Sequence, residues 1–105
     1  MKRNKKPKAI VYVPKADSEL TGCLAISNNG HHAGRMFIIL GSSSDGFVLA
    51  ADGKYRSAFL PKRKNPKHLT LLGRDETIAT LIRNGKVTDS EIRRTINQKR
   101  RNSEN

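Results

Sequence analysis

Residues 22–56 read GCLAISNNGHHAGRMFIILGSSSDGFVLAADGKYR, and this stretch decides the fold. Its apolar segments GCLAIS, RMFIIL and FVLAA are short, and linkers rich in Gly, Asn, Ser and Asp separate them. Short apolar runs between turn residues are typical of consecutive β-strands. Leu24 and Ile26 share one face of the first strand by the two-residue period. The second segment does not alternate, so we expect both faces of its strand to be covered.

Two further strands are predicted downstream. Asp52-Gly53 is the strongest short hairpin signal in the chain, and KYRSAF (residues 54–59) follows it as the predicted fourth strand. PKRKNPK (residues 61–67) is expected to lack regular structure, because its two prolines exclude a helix interior. HLTLL (residues 68–72) is the predicted fifth strand. Five short strands joined by Gly-rich turns favour a small barrel, which leaves no open edge.

The apolar period changes after the fifth strand. Ile78, Leu81 and Ile82 recur at helical spacing, with Asp75 as the predicted N-cap and Gly85 as the predicted residue after the C-cap. These positions predict a short first helix.

A second helix follows. Thr88 and Glu91 have the spacing of a capping box, and Ile92 and Ile96 are the apolar residues that come after them. That apolar stripe is narrow, so we expect the helix to pack weakly and to keep its polar sides exposed. Its basic side chains form a second possible phosphate-facing surface: Arg93, Arg94, Lys99, Arg100 and Arg101.

Charge is the most informative bulk property of the 105-residue chain, whose net charge is +12. Residues 1–15 carry six Lys or Arg and no acid, and residues 62–74 carry five and no acid. Residues 16–61 are close to neutral, with three bases and four acids. Basic segments beside a neutral body predict a polyanionic partner, because clustered cations gain affinity by releasing phosphate counterions.

The remaining composition limits the class of protein. No apolar run is long enough to span a membrane, no signal-peptide core follows the basic N-terminus, and a single Cys23 cannot form an internal disulfide. We therefore expect a cytoplasmic protein without a membrane partner. The predicted divisions are a flexible basic arm (1–16), a β-barrel (17–74), a helical tail (75–101) and a disordered end (102–105).

Catalytic and metal chemistry are not predicted. His31, His32, His68 and Cys23 invite a metal or nucleophile interpretation, but CxxC, HxxxH and HExxH spacings are absent from the sequence. Cys23 falls within a predicted strand, where a free cysteine is usually a packing residue. Paired carboxylates, a P-loop and a dinucleotide fingerprint are also absent from it. We expect no enzyme activity, no cofactor, no metal and no small-molecule substrate.

The pattern over residues 22–56 resembles a KOW motif, an alternating segment around one glycine, which here is Gly34. Together with Asp52-Gly53-Lys54, residues 61–69 and NGKVTDSEIRRTI (84–96), it resembles small bacterial KOW-domain RNA-binding proteins. These are similar in turn to a KOW-containing family of archaeal and eukaryotic large-subunit ribosomal proteins. The chain departs from them at HHA before Gly34, where relatives tend to carry charges, and in its longer N-terminal extension.

The resemblance implies a mainly β protein with a helical tail: a five-stranded SH3-like barrel, then two short helices, with a flexible basic N-terminal arm. It also implies binding of structured RNA, with large-subunit ribosomal RNA as the expected partner and neighbouring ribosomal proteins as further contacts. The residues assigned to RNA binding by resemblance and charge are Lys62, Arg63, Lys64, Lys67, His68, Arg35, Lys54, Arg56, Arg74, Lys2, Arg3, Lys5, Lys6, Lys8, Asn29, His31 and His32.

Three functional hypotheses remain open at this stage. The leading one is a non-catalytic, ribosome-associated RNA-binding protein, with residues 61–68 as its main site. The alternative is a KOW protein-interaction adaptor of the transcription or translation machinery, whose basic segments are incidental. A third is nonspecific binding of duplex DNA. His31 and His32 are either donors to RNA at a loop tip or exposed polar residues without a role.

Overall fold

The computed structural model describes residues 19–28, 33–43 and 45–104, and the predicted basic arm (1–16) lies outside them. Five strands and two helices follow one another along the chain. They are β1 (Cys23–Ser27), β2 (Met36–Ser42), β3 (Val48–Ala51), β4 (Lys62–Lys64), β5 (Leu69–Arg74), α1 (Glu76–Arg83) and α2 (Asp89–Glu104). The strands form one antiparallel sheet in the order β4-β3-β2-β1-β5. The predicted mainly β fold with two helices is confirmed.

The predicted fourth strand over residues 54–59 is wrong. Asp52 turns its Oδ1 atom back to accept hydrogen bonds from the backbone N–H groups of Lys54, Tyr55 and Arg56, at 2.9, 2.9 and 2.8 Å. These bonds hold a compact loop in place of a hairpin. The fourth strand is instead β4, inside the segment predicted to be irregular, and a 3-10 turn (Pro66–His68) follows it.

Bulges bend the sheet at two places. The β2–β3 register passes from Ile39 opposite Ala50 to Gly41 opposite Leu49, which leaves Leu40 as an extra residue. The β1–β5 register shifts in the same way, at Leu72. Each bulge strengthens the local bend of its strand.

The connection between the two edge strands requires the sheet to curl. In a flat sheet, β4 and β5 would lie four strand spacings apart, about 19 Å. Lys64 ends β4 and Leu69 begins β5, and five residue steps span at most about 17 Å even when fully extended. The 3-10 turn between them shortens this reach further. The sheet therefore folds towards itself at this end.

Both faces of the sheet are buried at its central strands β1, β2 and β3, whereas the edge strands β4 and β5 are partly exposed. One face packs against the helices in a helix-side cluster that includes Leu24, Met36 and Ile38. The other face carries an inner cluster that includes Ile39 and Val48. The expectation that both faces of β2 would be covered is confirmed, since Met36 through Leu40 are all buried.

Helix α1 begins and ends as its sequence predicts. The Asp75 side chain accepts a hydrogen bond from the Ile78 N–H at 2.9 Å, and Gly85 takes a positive φ of 70° just beyond the C-cap. Ile78 and Ile82 are buried against the sheet. An Asp cap at one end and a left-handed glycine at the other satisfy the orphan groups of a short helix.

Helix α2 packs more closely than its narrow apolar stripe predicts. Thr88 accepts a hydrogen bond from the Glu91 N–H at 3.2 Å, and both Ile92 and Ile96 are buried in the helix-side cluster. The helix continues to Glu104, so residues 102–104 are helical where a disordered end was expected. Within the described ranges, neither helix has the length and apolar character needed to cross a membrane.

Candidate nucleic-acid interface

Strand β4 sorts the basic residues of the PKRKNPK segment onto two faces. Lys62 lies opposite Ala50 and Lys64 opposite Val48, whereas Arg63 lies between them and points the other way. Val48 belongs to the inner cluster, so both lysines stand at the border of that cluster. The alternation therefore separates two of the predicted site residues from the third.

Four cations meet at this border, and we call them the cation cluster: Arg35, Arg56, Lys62 and Lys64. Burial lowers the pKa of the Lys64 ammonium below its ordinary value, and the charges of Lys62, Arg35 and Arg56 lower it further. The Lys64 Nζ atom lies 4.8 Å from the centroid of the Phe37 ring. An electrostatic effect of three neighbours on one ammonium group indicates like charges held close together.

Arg35 connects the cation cluster to the loop held by Asp52. Its guanidinium carbon lies 4.6 Å from the centroid of the Tyr55 ring, and the Nζ atom of Lys54 lies 5.1 Å from the same centroid. Arg35 comes directly before β2, and Lys54 follows the Asp52-Gly53 turn. The structure thus brings together five of the predicted site residues.

Arg63 is engaged on the opposite face of β4. Its guanidinium forms an ion pair with Asp45 and lies 4.0 Å from the centroid of the Phe47 ring. Hydrogen bonds from Ser43, Arg63 and the Phe47 N–H lower the pKa of Asp45 to about 2. A cation already paired with a carboxylate has less to gain from a phosphate.

Arg74 also lies apart from the cation cluster. It stands opposite Cys23 at one end of β1, whereas Leu69 stands opposite Ser27 at the other end. Its Nε atom lies 3.1 Å from a carboxylate oxygen of Glu76. Placing Arg74 with the other RNA-binding residues is therefore not supported by its position.

Lys67 and His68 lie in the 3-10 turn, beside the base of the loop that contains the histidines. Asn65 caps the turn by accepting a hydrogen bond from the Lys67 N–H at 3.1 Å. The Asn28 N–H donates to the His68 carbonyl at 2.8 Å, and the Thr70 hydroxyl donates to the Asn28 side chain at 2.8 Å. These bonds fix the start of the loop against β5.

Several predicted contacts fall on residues that the structure does not describe. They are Lys2, Arg3, Lys5, Lys6, Lys8, Asn29, His31 and His32. Their assigned roles stay predictions.

Gly34 ends the same loop. It takes a positive φ of 85°, and an added Cβ would meet nothing within 4 Å. Its N–H donates to the Ser27 carbonyl at 2.9 Å, and the Ser27 N–H donates to the Arg35 carbonyl at 3.0 Å. The glycine is therefore required by backbone conformation alone, at the corner where the chain enters β2.

The sequence did not predict that α2 would face the Asp52 loop. Arg93 and Arg100 line a groove of about 550 Å³ together with Arg35, Lys54 and Tyr55. The other basic residues of α2 lie elsewhere: Lys99 borders a cleft with Arg74, and Arg94 pairs with Glu91 at 4.0 Å. The seven-residue spacing of Arg93 and Arg100, two helical turns, is the signal that places them on one stripe.

The described residues contain no group of three or more His, Cys, Asp or Glu side chains that could hold a metal ion. Cys23 is buried in β1 as a packing residue, and burial raises the pKa of its thiol. A protonated, enclosed thiol is a poor nucleophile and a poor metal ligand.

The sequence matches no protein-family model, and a search of curated proteins finds no match either. The functional conclusion therefore depends on the residues of the chain itself.

Proposed function

We propose that this protein is a non-catalytic RNA-binding protein that associates with the large ribosomal subunit through a KOW-type, SH3-like barrel. The curled five-stranded sheet and the positive φ of Gly34 support the barrel assignment. The bound RNA is structured, and the cation cluster contacts its phosphates. Arg63 and Arg74 contribute less than their place in the sequence suggests.

The observation that carries this proposal is that Lys62 and Lys64 lie on one face of β4, with the Lys64 ammonium over the Phe37 ring and within the electrostatic influence of Arg35 and Arg56. Among the described residues, ion pairs join Arg63 to Asp45, Arg74 to Glu76 and Arg94 to Glu91. Arg35, Arg56 and Lys62 take part in none of these three pairs. Like charges held together cost folding stability, and a polyanion that neutralises them recovers that cost.

The test measures the affinity for refolded bacterial large-subunit ribosomal RNA as a function of salt. Each neutralised phosphate contributes about −0.7 to −0.9 to the slope of log K against log salt, depending on whether the RNA is single-stranded or duplex-like. A contact surface of six or more phosphates therefore gives a slope of about −4 or steeper. Duplex DNA of equal length is the competitor, and it should displace the RNA poorly.

Two variants make the test specific to the cation cluster. Arg56→Gln and Arg63→Gln remove the same charge and the same kind of side chain, one from the cation cluster and one from the face of β4 that Asp45 occupies. We expect Arg56→Gln to weaken binding and to reduce the slope by about 1. Arg63→Gln should change both less, because Asp45 already engages that guanidinium. A slope near zero, or equal effects of the two variants, would refute the proposal.

One observation favours the adaptor as a second candidate function. Phe59 and Leu60 are 61% and 70% exposed in the loop between β3 and β4, where they form a small apolar patch. Exposed apolar side chains are typical of protein-binding surfaces. In that case Phe59→Ala would weaken association with ribosomes at any salt concentration, and Arg56→Gln would not.

A further inference from the structure

The groove between the Asp52 loop and α2 is a structured cavity with an apolar floor. Met36 and Ile96 are buried side chains of the helix-side cluster, and both border the groove. Its volume of about 550 Å³ falls within the range of about 300–1,000 Å³ that is common for small-ligand sites. A flat ring can rest on such a floor without leaving polar groups unsatisfied.

The two sides of the groove are fastened to each other. Arg93 of α2 donates a hydrogen bond across the groove to the Gly53 carbonyl, and a second bond to the Ser90 hydroxyl within α2 holds its guanidinium in place. Across the same junction, the carboxylate of Asp89 accepts the Ala58 N–H at 2.8 Å. The groove is therefore preformed, and Arg93 positions its sides rather than binding a ligand.

Asp52 also borders the groove, but its carboxylate is engaged. Its Oδ1 atom accepts the three backbone N–H groups that hold the loop. The groove is therefore bordered by one carboxylate, which is engaged by its own loop, and by four cations. The remaining charged groups that border the groove besides Arg93 are Arg35, Lys54 and Arg100, all of them cations.

Tyr55 supplies the feature that distinguishes this groove from a simple cationic patch. Its side chain is 64% exposed and borders the groove, and the Arg35 guanidinium carbon and the Lys54 Nζ atom lie over its ring, 4.6 and 5.1 Å from the ring centroid. Nucleobases stack on exposed aromatic rings, and a base that stacks on Tyr55 takes the place of the exposed Lys54 side chain, whose ammonium then pairs with the phosphate. Asn97 borders the same groove, and its amide offers both a donor and an acceptor for a base edge.

We propose that this groove receives one unpaired nucleotide of the bound RNA, with its base stacked on Tyr55 and its phosphates beside Arg35, Lys54 and Arg100. The inference rests on the proposed function, and it adds a recognised element to phosphate binding: a bulged or looped-out base. An acidic peptide would satisfy the cations, but it would leave the apolar floor and the exposed ring without a partner. The nucleotide accounts for all three features.

The test uses tyrosine fluorescence, because the chain contains two tyrosines and no tryptophan. In a Tyr12→Phe background, Tyr55 is the only tyrosine, and stacking of a base quenches its emission. Two RNA hairpins serve as probes: one has a fully paired stem, and the other has the same stem with a single bulged adenosine. The bulged hairpin should bind more tightly and quench Tyr55, whereas the paired hairpin should bind without quenching.

Variants of the full chain separate stacking from charge. Tyr55→Ala should weaken binding of the bulged hairpin by about 5-fold to 140-fold, the loss expected for one stacked base, and should change binding of the paired hairpin little. Tyr55→Phe should keep most of the affinity, because the ring remains. Leu71→Ala is the control, since Leu71 is also an exposed apolar side chain, at 49%, and does not border the groove.

Three results would overturn the inference. Equal binding of both hairpins without quenching would leave phosphate binding intact and remove the nucleotide site. Quenching of Tyr55 by polyglutamate to the same extent would make the groove a general anion or protein site. Failure of both hairpins to bind at moderate salt would refute the proposed function as well.

Discussion

Substituting Gly53 with alanine should destabilise the protein for a reason that one comparison can isolate. Gly53 has a φ of 78°, and an added Cβ would lie 2.6 Å from the Asp89 carbonyl oxygen. A non-glycine residue in the left-handed region costs about 1–2 kcal/mol. The overlap with a backbone oxygen forces the loop away from α2, which weakens the hydrogen bonds from Ala58 to Asp89 and from Arg93 to Gly53. Each such bond contributes about 1–2 kcal/mol, so we expect a total loss of about 3–6 kcal/mol.

Gly46→Ala is the matched control. Gly46 has a φ of 89°, but an added Cβ there meets nothing within 4 Å, so the variant carries the conformational cost alone. Urea unfolding followed by far-UV circular dichroism gives the free energy of unfolding for both variants. We expect Gly53→Ala to be less stable than Gly46→Ala by about 2–4 kcal/mol, which is the contribution of the two hydrogen bonds. A difference below about 0.5 kcal/mol would refute the close approach of the loop to α2, given the precision of such measurements.

Two further predictions concern α2 and Asp45. Ile92→Ala should lower the free energy of unfolding by about 2–5 kcal/mol, because it opens a cavity in the helix-side cluster. Arg94→Ala, on the exposed side of α2, is the control and should lower it by at most about 0.5 kcal/mol. Equal losses for the two variants would show that α2 does not close the core. The pKa of Asp45 is about 2 in the folded protein, against an ordinary value of 3.8. The ionised carboxylate therefore stabilises the folded protein above about pH 4, and this stabilisation is lost as the pH falls towards 2. Asp45→Asn should therefore lower the melting temperature at pH 6 and have little effect at pH 2, and the same decrease at both pH values would contradict the assigned hydrogen bonds.

The sequence predicts four of the five strands because their signal is local. Residues 23–27, 36–42, 48–51 and 69–74 owe their structure to short apolar runs between turn residues, and each overlaps its predicted strand. Strand β4 could not be found in this way. It consists of three basic residues, and only its backbone pairing with β3 makes it a strand.

The misplaced fourth strand has a different and local cause. KYRSAF has suitable residue types for a strand, but the Asp52 carboxylate binds the first three N–H groups of that segment. A side chain that offers the backbone a local partner competes with strand pairing. The outcome depended on a single acceptor atom, which residue propensities do not resolve.

The sequence pointed to the basic residues of the candidate site but not to their positions relative to one another. The charge pattern assigned residues 62–64 to the predicted site, but it treated their three cations as equivalent. Asp45 lies 18 residues before Arg63 in the chain, and their pairing arises only because β3 and β4 are adjacent. The groove could not be predicted either, because its sides come from β2, the Asp52 loop and α2, which meet through tertiary packing.

The closure of the core by α2 constrains how the protein can fold during synthesis. Residues 36–40 of β2 leave the ribosome well before Ile92 and Ile96, which cover one face of that strand. Strand β1 likewise has one unpaired edge until β5 is synthesised, about 45 residues later in the chain. A nascent chain that ends before residue 92 therefore presents an uncovered apolar sheet face. A stop codon or a stall in the last helix should produce an aggregation-prone chain rather than a shortened but functional domain.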